Sequence, residues 1–293
     1  MSVRALIVCL TLVFAAGVAR AQVQLTLKIP RHLYMAYEPL VATVSITNLS
    51  GHDLMLDEMD GQQWFGFQVT TGDDRLVPPR DANYKVSPLM IPSGQTARRS
   101  VNLVSLYPVS EFGTYRVKAN IYLPELHRYI SSKADTFEVS EGRTIWQQTV
   151  GVPEGMEGAG GYRIYTLLSF RQPVDNMLYA RIEDKDGSTI YATYPLGRLL
   201  TASPPQMQLD EKNRLHVLQL IGPKSYCYTR IGVNGEWLGQ FNYTEQKSRP
   251  VLKRLASGEV GIAGGKMDVP VAQAANGPPP PKLSDRPPGM PVP

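Results

Sequence analysis

The sequence has little cysteine and little histidine, and each shortage removes a class of protein. Of its 293 residues, two are cysteines and four are histidines. Cys9 lies in an N-terminal apolar segment, so Cys227 has no partner for an intramolecular disulfide and the fold depends on a hydrophobic core. The histidines show neither the HExxH motif nor another close metal-binding spacing, so no metal site built from neighbouring histidines is predicted.

The sequence also lacks the fingerprints of common enzyme and nucleotide-binding folds. A GxSxG nucleophile elbow is missing, which excludes an α/β-hydrolase. A phosphate-binding loop and a Rossmann glycine motif between a strand and a helix are missing too, so no nucleotide cofactor is predicted. The formal net charge is +4, which is too balanced to predict nucleic acid or an anionic membrane as the partner.

Residues 1–21 have the features of a secretory signal peptide. Arg4 supplies the positive charge, and residues 5–17 form an apolar run that is too short to span a bilayer. The sequence Ala19-Arg20-Ala21 matches the A-x-A cleavage pattern. We therefore expect a secreted or periplasmic protein that begins at Gln22 and has no transmembrane span after cleavage.

The segment that best indicates the fold class is residues 40–48. Its apolar residues Leu40, Ala42, Val44 and Ile46 alternate with Val41 and three hydroxyl residues. A period of two with many β-branched residues predicts a half-buried strand. Similar segments recur along the chain, so the sequence predicts an all-β protein.

A tyrosine motif refines this expectation for residues 22–140. Residues 111–115 read EFGTY and lead into another alternating segment, residues 115–123. An acidic residue, a glycine and a tyrosine at the start of a late strand resemble the tyrosine corner of immunoglobulin-like sandwiches, where the tyrosine hydroxyl bonds back to the preceding turn. The antibody pattern of Cys, Trp and Cys is missing, so the resemblance is to the broad bacterial immunoglobulin-like and fibronectin-like group.

Residues 141–266 read as a succession of hairpins. Turn sequences recur near residues 186, 212, 234 and 257, and a Tyr-x-Arg-Ile pattern at 179–182 returns at 228–231. This weak internal repeat is similar to the four-stranded blades of β-propellers. The region is long enough for at most about three blades, below the usual minimum of four, so an antiparallel β-meander domain is predicted instead of a closed propeller.

The C-terminal residues 267–293 have a different composition. Proline dominates, with four consecutive prolines at 278–281, and the hydrophobic periodicity is lost. Such a composition predicts a disordered, Pro-rich tail. The expected order is therefore a signal peptide (1–21), an immunoglobulin-like β-sandwich (22–140), a β-meander domain (141–266) and the tail.

Aromatic side chains are the main candidates for a binding surface. The candidates are Trp64, Tyr191, Tyr194, Tyr226 and Tyr228. Exposed Tyr and Trp on a rigid sheet are good anchors for sugars or proteins. The same residue types also pack across neighbouring strands, so the sequence alone leaves a packing interpretation open.

Two acidic clusters, at residues 57–60 and 184–187, are candidates for a calcium site, and the first is the better candidate. Asp57, Glu58 and Asp60 lie within six residues, and carboxylates are typical calcium ligands. The cluster lacks the full ligand series and closing glutamate of a calcium loop, so a simple acidic turn is the alternative.

Taken together, the sequence predicts a non-catalytic exported protein that binds a protein or carbohydrate ligand at the cell envelope, or serves as a scaffold there. Two alternatives remain. A sandwich that inhibits a proteinase would present a protruding loop, for which residues 78–93 are the candidate. A carbohydrate-active enzyme would hold two carboxylates about 5–10 Å apart in a cleft.

Overall fold

The computed structural model describes residues 23–59, 61–81, 84–200 and 202–268, and most of this backbone is β-strand. The expected signal peptide and nearly all of the expected Pro-rich tail lie outside these residues. The N-terminal elements are β1 (Val23–Lys28), β2 (Leu33–Met35), β3 (Val41–Asn48), β4 (Leu54–Leu56), β5 (Phe65–Thr71), β6 (Leu76–Val77), β7 (Leu89–Ile91), β8 (Thr96–Asn102), a short helix α1 (Leu103–Leu106), β9 (Gly113–Leu123), a 3-10 turn (Pro124–Leu126), β10 (Arg128–Ser131) and β11 (Asp135–Ser140).

In the second region, all regular elements among the described residues are strands. They are β12 (Arg143–Gly151), β13 (Tyr162–Arg171), β14 (Asn176–Asp184), β15 (Ile190–Arg198), β16 (Gln206–Leu209), β17 (Leu215–Gly222), β18 (Ser225–Ile231), β19 (Trp237–Thr244), β20 (Val251–Arg254), β21 (Val260–Ala263) and β22 (Lys266–Met267). The predicted all-β fold class is confirmed. No helix in the described ranges is long and apolar enough to cross a membrane.

The N-terminal strands form two larger sheets and a small β4–β7 sheet around one core. One sheet has the order β1-β3-β8, and the other has the order β2-β11-β9-β5-β6 with β10 beside β9. The alternation predicted for β3 is confirmed, because Ala42, Val44 and Ile46 are all buried while Val41 is exposed. These residues share a core with the aromatic side chains of β5 and β11.

The hydrogen bond predicted for the tyrosine motif is also present. The hydroxyl of Tyr115, at the start of β9, donates to the carbonyl oxygen of Glu111 at 3.0 Å. The ring of Tyr115 stacks on Phe137 of β11, with ring centroids 5.3 Å apart. The bond and the stacking together fix the turn against the sheet that it enters.

Two meanders form most of the second region. Sheet I has the order β12-β13-β14-β15, and sheet II has the order β16-β17-β18-β19-β22. Apolar residues on one face of each sheet meet in a shared core, for example Leu167 and Ile182 of sheet I with Val217 and Ile231 of sheet II. The turn predicted near residue 234 lies between β18 and β19. It has the sequence Asn234-Gly235, and Gly235 has the positive φ of 82° that such a turn requires.

The outer faces of both sheets are covered. Met35 of β2 packs on Leu168 and Phe170 of sheet I. On the other side, the β20–β21 hairpin packs Leu252 and Val260 against sheet II. The two meanders of the second region therefore form a stack whose two outer faces are both covered.

A buried polar network, here called the joint, connects the two regions. Glu38 is 1% exposed and accepts hydrogen bonds from Arg31 at 2.9 Å, from the hydroxyl of Tyr179 at 3.0 Å and from the backbone N–H of Met35 at 2.7 Å. Burial raises the pKa of the Glu38 carboxyl, although the neighbouring Arg31 favours its ionised form. Because Tyr179 belongs to sheet I, the joint ties that sheet to the N-terminal region.

The predicted start of the tail needs a correction. Residue 267 was expected to begin a segment without regular structure, but Met267 lies in β22 and pairs with Tyr243 of β19. Lys266 pairs with Thr244 in the same ladder. The two-residue strand adds an edge to sheet II and has too few residues to show a periodicity.

Candidate ligand-binding cleft

Four of the five aromatic residues proposed as binding anchors lie in the interior. Trp64 is 1% exposed, and Tyr194, Tyr226 and Tyr228 are also buried. Their polar atoms have partners inside the protein: the indole N–H of Trp64 donates to a backbone carbonyl at 3.2 Å, and the Tyr194 hydroxyl donates to another at 2.7 Å. The prediction of an exposed surface is wrong for these four residues. Tyr194, Tyr226 and Tyr228 lie on core-facing sides of their strands, and Trp64 is buried in the core directly before β5.

The acidic cluster is exposed where the structure describes it. Asp57 and Glu58 lie on the surface, and the Glu58 backbone N–H donates to the Asp57 carboxylate at 2.7 Å. Asp60 lies outside the described residues. Within the described ranges, no group of three or more His, Cys, Asp or Glu side chains is placed to hold a metal ion, so calcium binding stays a prediction.

The segment proposed as a protruding inhibitory loop is held against the sandwich in its described part. Leu89–Ile91 forms β7, which pairs with β4. Tyr84 is buried, and its hydroxyl donates to the carbonyl oxygen of Phe65 at 3.3 Å. These contacts correct the expectation of a free loop at residues 78–93.

Tyr191, the fifth aromatic candidate, lines a cleft of about 460 Å³ at one end of the two-sheet stack. Three parts of the chain meet there: the glycine-rich loop after β12, the first residues of β13 and β15, and the turn between β18 and β19. Residues that line the cleft include Glu157, Arg163, Thr189, Tyr191, Asn234 and Glu236. Its volume is within the range of small-molecule sites.

Arg163 is the central side chain of this cleft. It is 6% exposed, and its guanidinium lies 4.2 Å from the centre of the Tyr191 ring. Its Nε donates to the Asn234 side-chain oxygen at 3.1 Å, and its Nη1 donates to the carbonyl oxygen of Tyr162 at 3.0 Å. In the described part of the chain, Arg163 forms no ion pair, which is unusual for a buried arginine.

The local sequence explains how the guanidinium is accommodated. Gly158 has a φ of 79°, and a Cβ atom at this position would collide with the guanidinium of Arg163. The turn at Asn234 closes the opposite side, where the Asn234 amide donates to the carbonyl oxygen of Glu157 at 3.0 Å. Gly158 and Asn234 therefore determine the shape of the cleft in addition to the local backbone conformation.

Both hydrogen-bond donors and acceptors are available around the cleft. Arg163 supplies N–H groups, and the carboxylates of Glu157 and Glu236 supply acceptors. One Glu236 oxygen accepts from the backbone N–H of Asn234 at 3.1 Å. This mixture is suited to an uncharged polar ligand, because the glutamates repel anions and Arg163 repels cations.

A second polar cluster lies beneath the β20–β21 hairpin and is enclosed. His216 is 2% exposed, as expected for a packed histidine; its Nε2 lies 3.1 Å from Asp210 and its Nδ1 lies 2.6 Å from the Tyr228 hydroxyl. Burial lowers the pKa of His216. Burial also acts to raise the pKa of Asp210, but hydrogen bonds from Arg214 and His216 outweigh it and lower that pKa. Both nitrogens of His216 are engaged, so the cluster is suited to holding sheet II together.

The sequence interpretation missed most of the cleft. The turn near residue 234 was predicted only as part of a series of hairpins, and no role was predicted for the glycine-rich loop or for Arg163. A usable signal was a basic residue near the start of a mostly apolar strand, next to a glycine-rich loop. Such a residue is costly to bury without a functional or structural partner.

The structure thus defines an all-β protein with a polar cleft at one end of stacked meanders. No family model and no curated protein matches the chain. Among solved structures, it is similar to the sporulation control protein Spo0M from Bacillus subtilis, with 10% identity, a TM-score of 0.28, and coverage of 60% of this chain and 91% of that chain. At this TM-score the likeness supports no argument about the present chain.

Proposed function

We propose that this protein is an exported, non-catalytic binding protein whose cleft around Arg163 takes a carbohydrate. The observation that carries the proposal is a buried arginine without an ion-pair partner among the described residues, packed on Tyr191 at the wall of a 460 Å³ cleft. A ligand that supplies acceptors to this guanidinium would compensate for its burial.

A sugar fits the cleft better than a charged ligand does. Adjacent hydroxyl groups can donate to the carboxylates of Glu157 and Glu236 and accept from Arg163 at the same time. Tyr191 adds an aromatic ring to the wall, and such a ring can pack against the apolar face of a sugar. An anion would be attracted by Arg163 but repelled by the two carboxylates. A cation would be attracted by the carboxylates but repelled by Arg163.

The N-terminal sandwich is proposed to be an immunoglobulin-like carrier for this stack. The strand order β1-β3-β8 opposite β11-β9-β5 supports the proposal, as does the tyrosine corner at the start of β9. The chain also moves from one sheet to the other early, since β1 pairs with β3 whereas β2 pairs in parallel with β11.

The experiment is a glycan-array screen of the mature chain followed by calorimetry on the best glycan. Arg163→Gln is expected to weaken binding by about tenfold or more, because a hydrogen bond to a charged group contributes about 1.5–3 kcal/mol. Glu157→Gln, at an exposed position, is expected to weaken binding with little effect on stability. Arg128→Gln, on an exposed strand of the sandwich, is the matched control. Equal affinity of all three variants and the unmodified chain would refute the assignment of the cleft.

One observation favours a glycosidase as the second candidate: two carboxylates, Glu157 and Glu236, line the same cleft. Paired carboxylates are the groups that cleave glycosidic bonds. A reducing-sugar assay on glycans that bind would separate the two functions. Hydrolysis that is lost in Glu236→Gln while binding is retained supports the enzyme; binding without hydrolysis in the unmodified chain supports the binding protein.

A further inference from the structure

Two exposed methionines face each other on the small β4–β7 sheet, far in sequence from the cleft residues. Met55 and Met90 are directly opposite in the antiparallel register. Their side chains are 56% and 58% exposed, whereas Leu54, Leu56 and Ile91 on the other side of the same strands are buried. Side chains that are directly opposite in an antiparallel pair lie on one face, with Cβ atoms about 4.5–5.5 Å apart.

At this separation, the two thioether sulfurs can bind the same metal ion. Each methionine has three rotatable side-chain bonds, so two opposed sulfur atoms can approach one ion from both sides. Both side chains are on the surface, so an ion can reach them without a rearrangement of the core.

The charge beside the pair favours a cation. Asp57 and Glu58 follow β4 directly and are exposed. Within the described ranges, neither forms an ion pair. Two negative charges next to two neutral sulfur ligands are suited to a soft ion of low positive charge, because thioethers select soft metals such as Cu(I) over calcium or magnesium.

We propose that Met55 and Met90 form a surface site for a soft monovalent cation, Cu(I), held by two thioether sulfurs, with Asp57 and Glu58 supplying compensating charge. The proposal is independent of the carbohydrate cleft. It also gives the acidic cluster a role different from calcium binding, since the carboxylates act through their charge and the sulfurs bind the metal.

The experiment uses silver nitrate, an air-stable source of a soft monovalent cation, and the full chain labelled with ¹³C at the methionine methyl groups. The ten methionine signals are assigned by Met→Leu substitution, which is nearly volume-conserving. The methyl signals of Met55 and Met90 are expected to shift together and to saturate at one silver ion per chain. Met267 is 46% exposed but has no methionine opposite it, so its signal is the internal control and is expected to stay unchanged.

Variants then test the shared site. Met55→Leu is expected to weaken the response of Met90 by about tenfold or more, since loss of even an outer partner of a metal ligand has an effect of this size. Met267→Leu is expected to leave it unchanged. Competition with a chromophoric Cu(I) chelator under anaerobic conditions is expected to give the same ranking of variants.

Three results would overturn the proposal. In the first, silver is taken up, for example by a thiol, without a shift of Met55 and Met90. In the second, Met90 responds equally well in Met55→Leu, which would mean that the two sulfurs bind separately. In the third, calcium chloride shifts these signals and silver does not, which would return the acidic cluster to the calcium hypothesis.

Discussion

Replacing Tyr179 with phenylalanine removes one oxygen atom from the joint between the two regions. The Tyr179 side chain is fully buried, and its hydroxyl donates to Glu38 at 3.0 Å and lies 3.3 Å from a donor nitrogen of Arg31. The ring also packs edge-to-face on Phe170, with centroids 5.8 Å apart. Phenylalanine keeps the ring contact and loses only the hydrogen bonds.

The expected loss of stability follows from the charges involved. A hydrogen bond to an ionised partner contributes about 1.5–3 kcal/mol, and removing it leaves a buried acceptor with one partner fewer. We therefore expect Tyr179→Phe to reduce the free energy of unfolding by about 2 kcal/mol. Urea titration at neutral pH measures this loss, and the slope of the transition is expected to stay unchanged.

Tyr162→Phe is the matched control, because Tyr162 lies on the neighbouring strand β13 and is 53% exposed. Surface substitutions of this kind usually change stability by less than about 0.5 kcal/mol. In a double-mutant cycle, Glu38→Gln is expected to reduce the effect of Tyr179→Phe, because the two side chains share one network. If Tyr179→Phe is as stable as Tyr162→Phe, the joint does not stabilise the protein in the way described.

Three further predictions concern the buried His216 cluster in sheet II, the Tyr115 hydrogen bond in the N-terminal sandwich and the turn between β18 and β19. Burial lowers the pKa of His216, so this histidine takes up a proton more readily in the unfolded chain than in the folded one as the pH falls. Melting temperatures are therefore expected to decrease below about pH 6.5. His216→Gln is expected to make this decrease smaller. Tyr115→Phe, which removes the corner hydrogen bond, is expected to cost about 1 kcal/mol in urea unfolding, and no loss would contradict its role. Gly235→Ala would place a Cβ atom 2.9 Å from that of Ala192 at a φ of 82°; it is expected to cost about 1–3 kcal/mol in the same assay, whereas unchanged stability would mean that the turn adjusts.

Strong periodicity made much of the fold predictable. The alternation in residues 40–48 and 115–123 predicted β3 and β9, and the turn sequence near residue 234 predicted the β18–β19 hairpin. Strand β12 was missed because its central residues are mostly exposed on both faces, as is possible at the edge of a sheet. An edge strand gains its stability from one neighbouring strand, and that contact leaves little trace in its own sequence.

The candidate cleft was much less predictable. Tyr191 was identified, but Trp64 and the other aromatic candidates are buried. A strand pattern shows which side chains share a face, yet it does not show which face is later covered by another sheet. Arg163 and Asn234 are 71 residues apart in sequence, and only the packing of sheet I on sheet II brings them together.

The covers on the two meanders have a consequence for how such a protein can change in size. Tandem duplication lengthens a repeat array only when a terminal repeat has an apolar face on which an added repeat can pack. Here β2 occupies one such face and the β20–β21 hairpin occupies the other. An additional meander would have to displace one of these covers, so the array is self-limiting at two units.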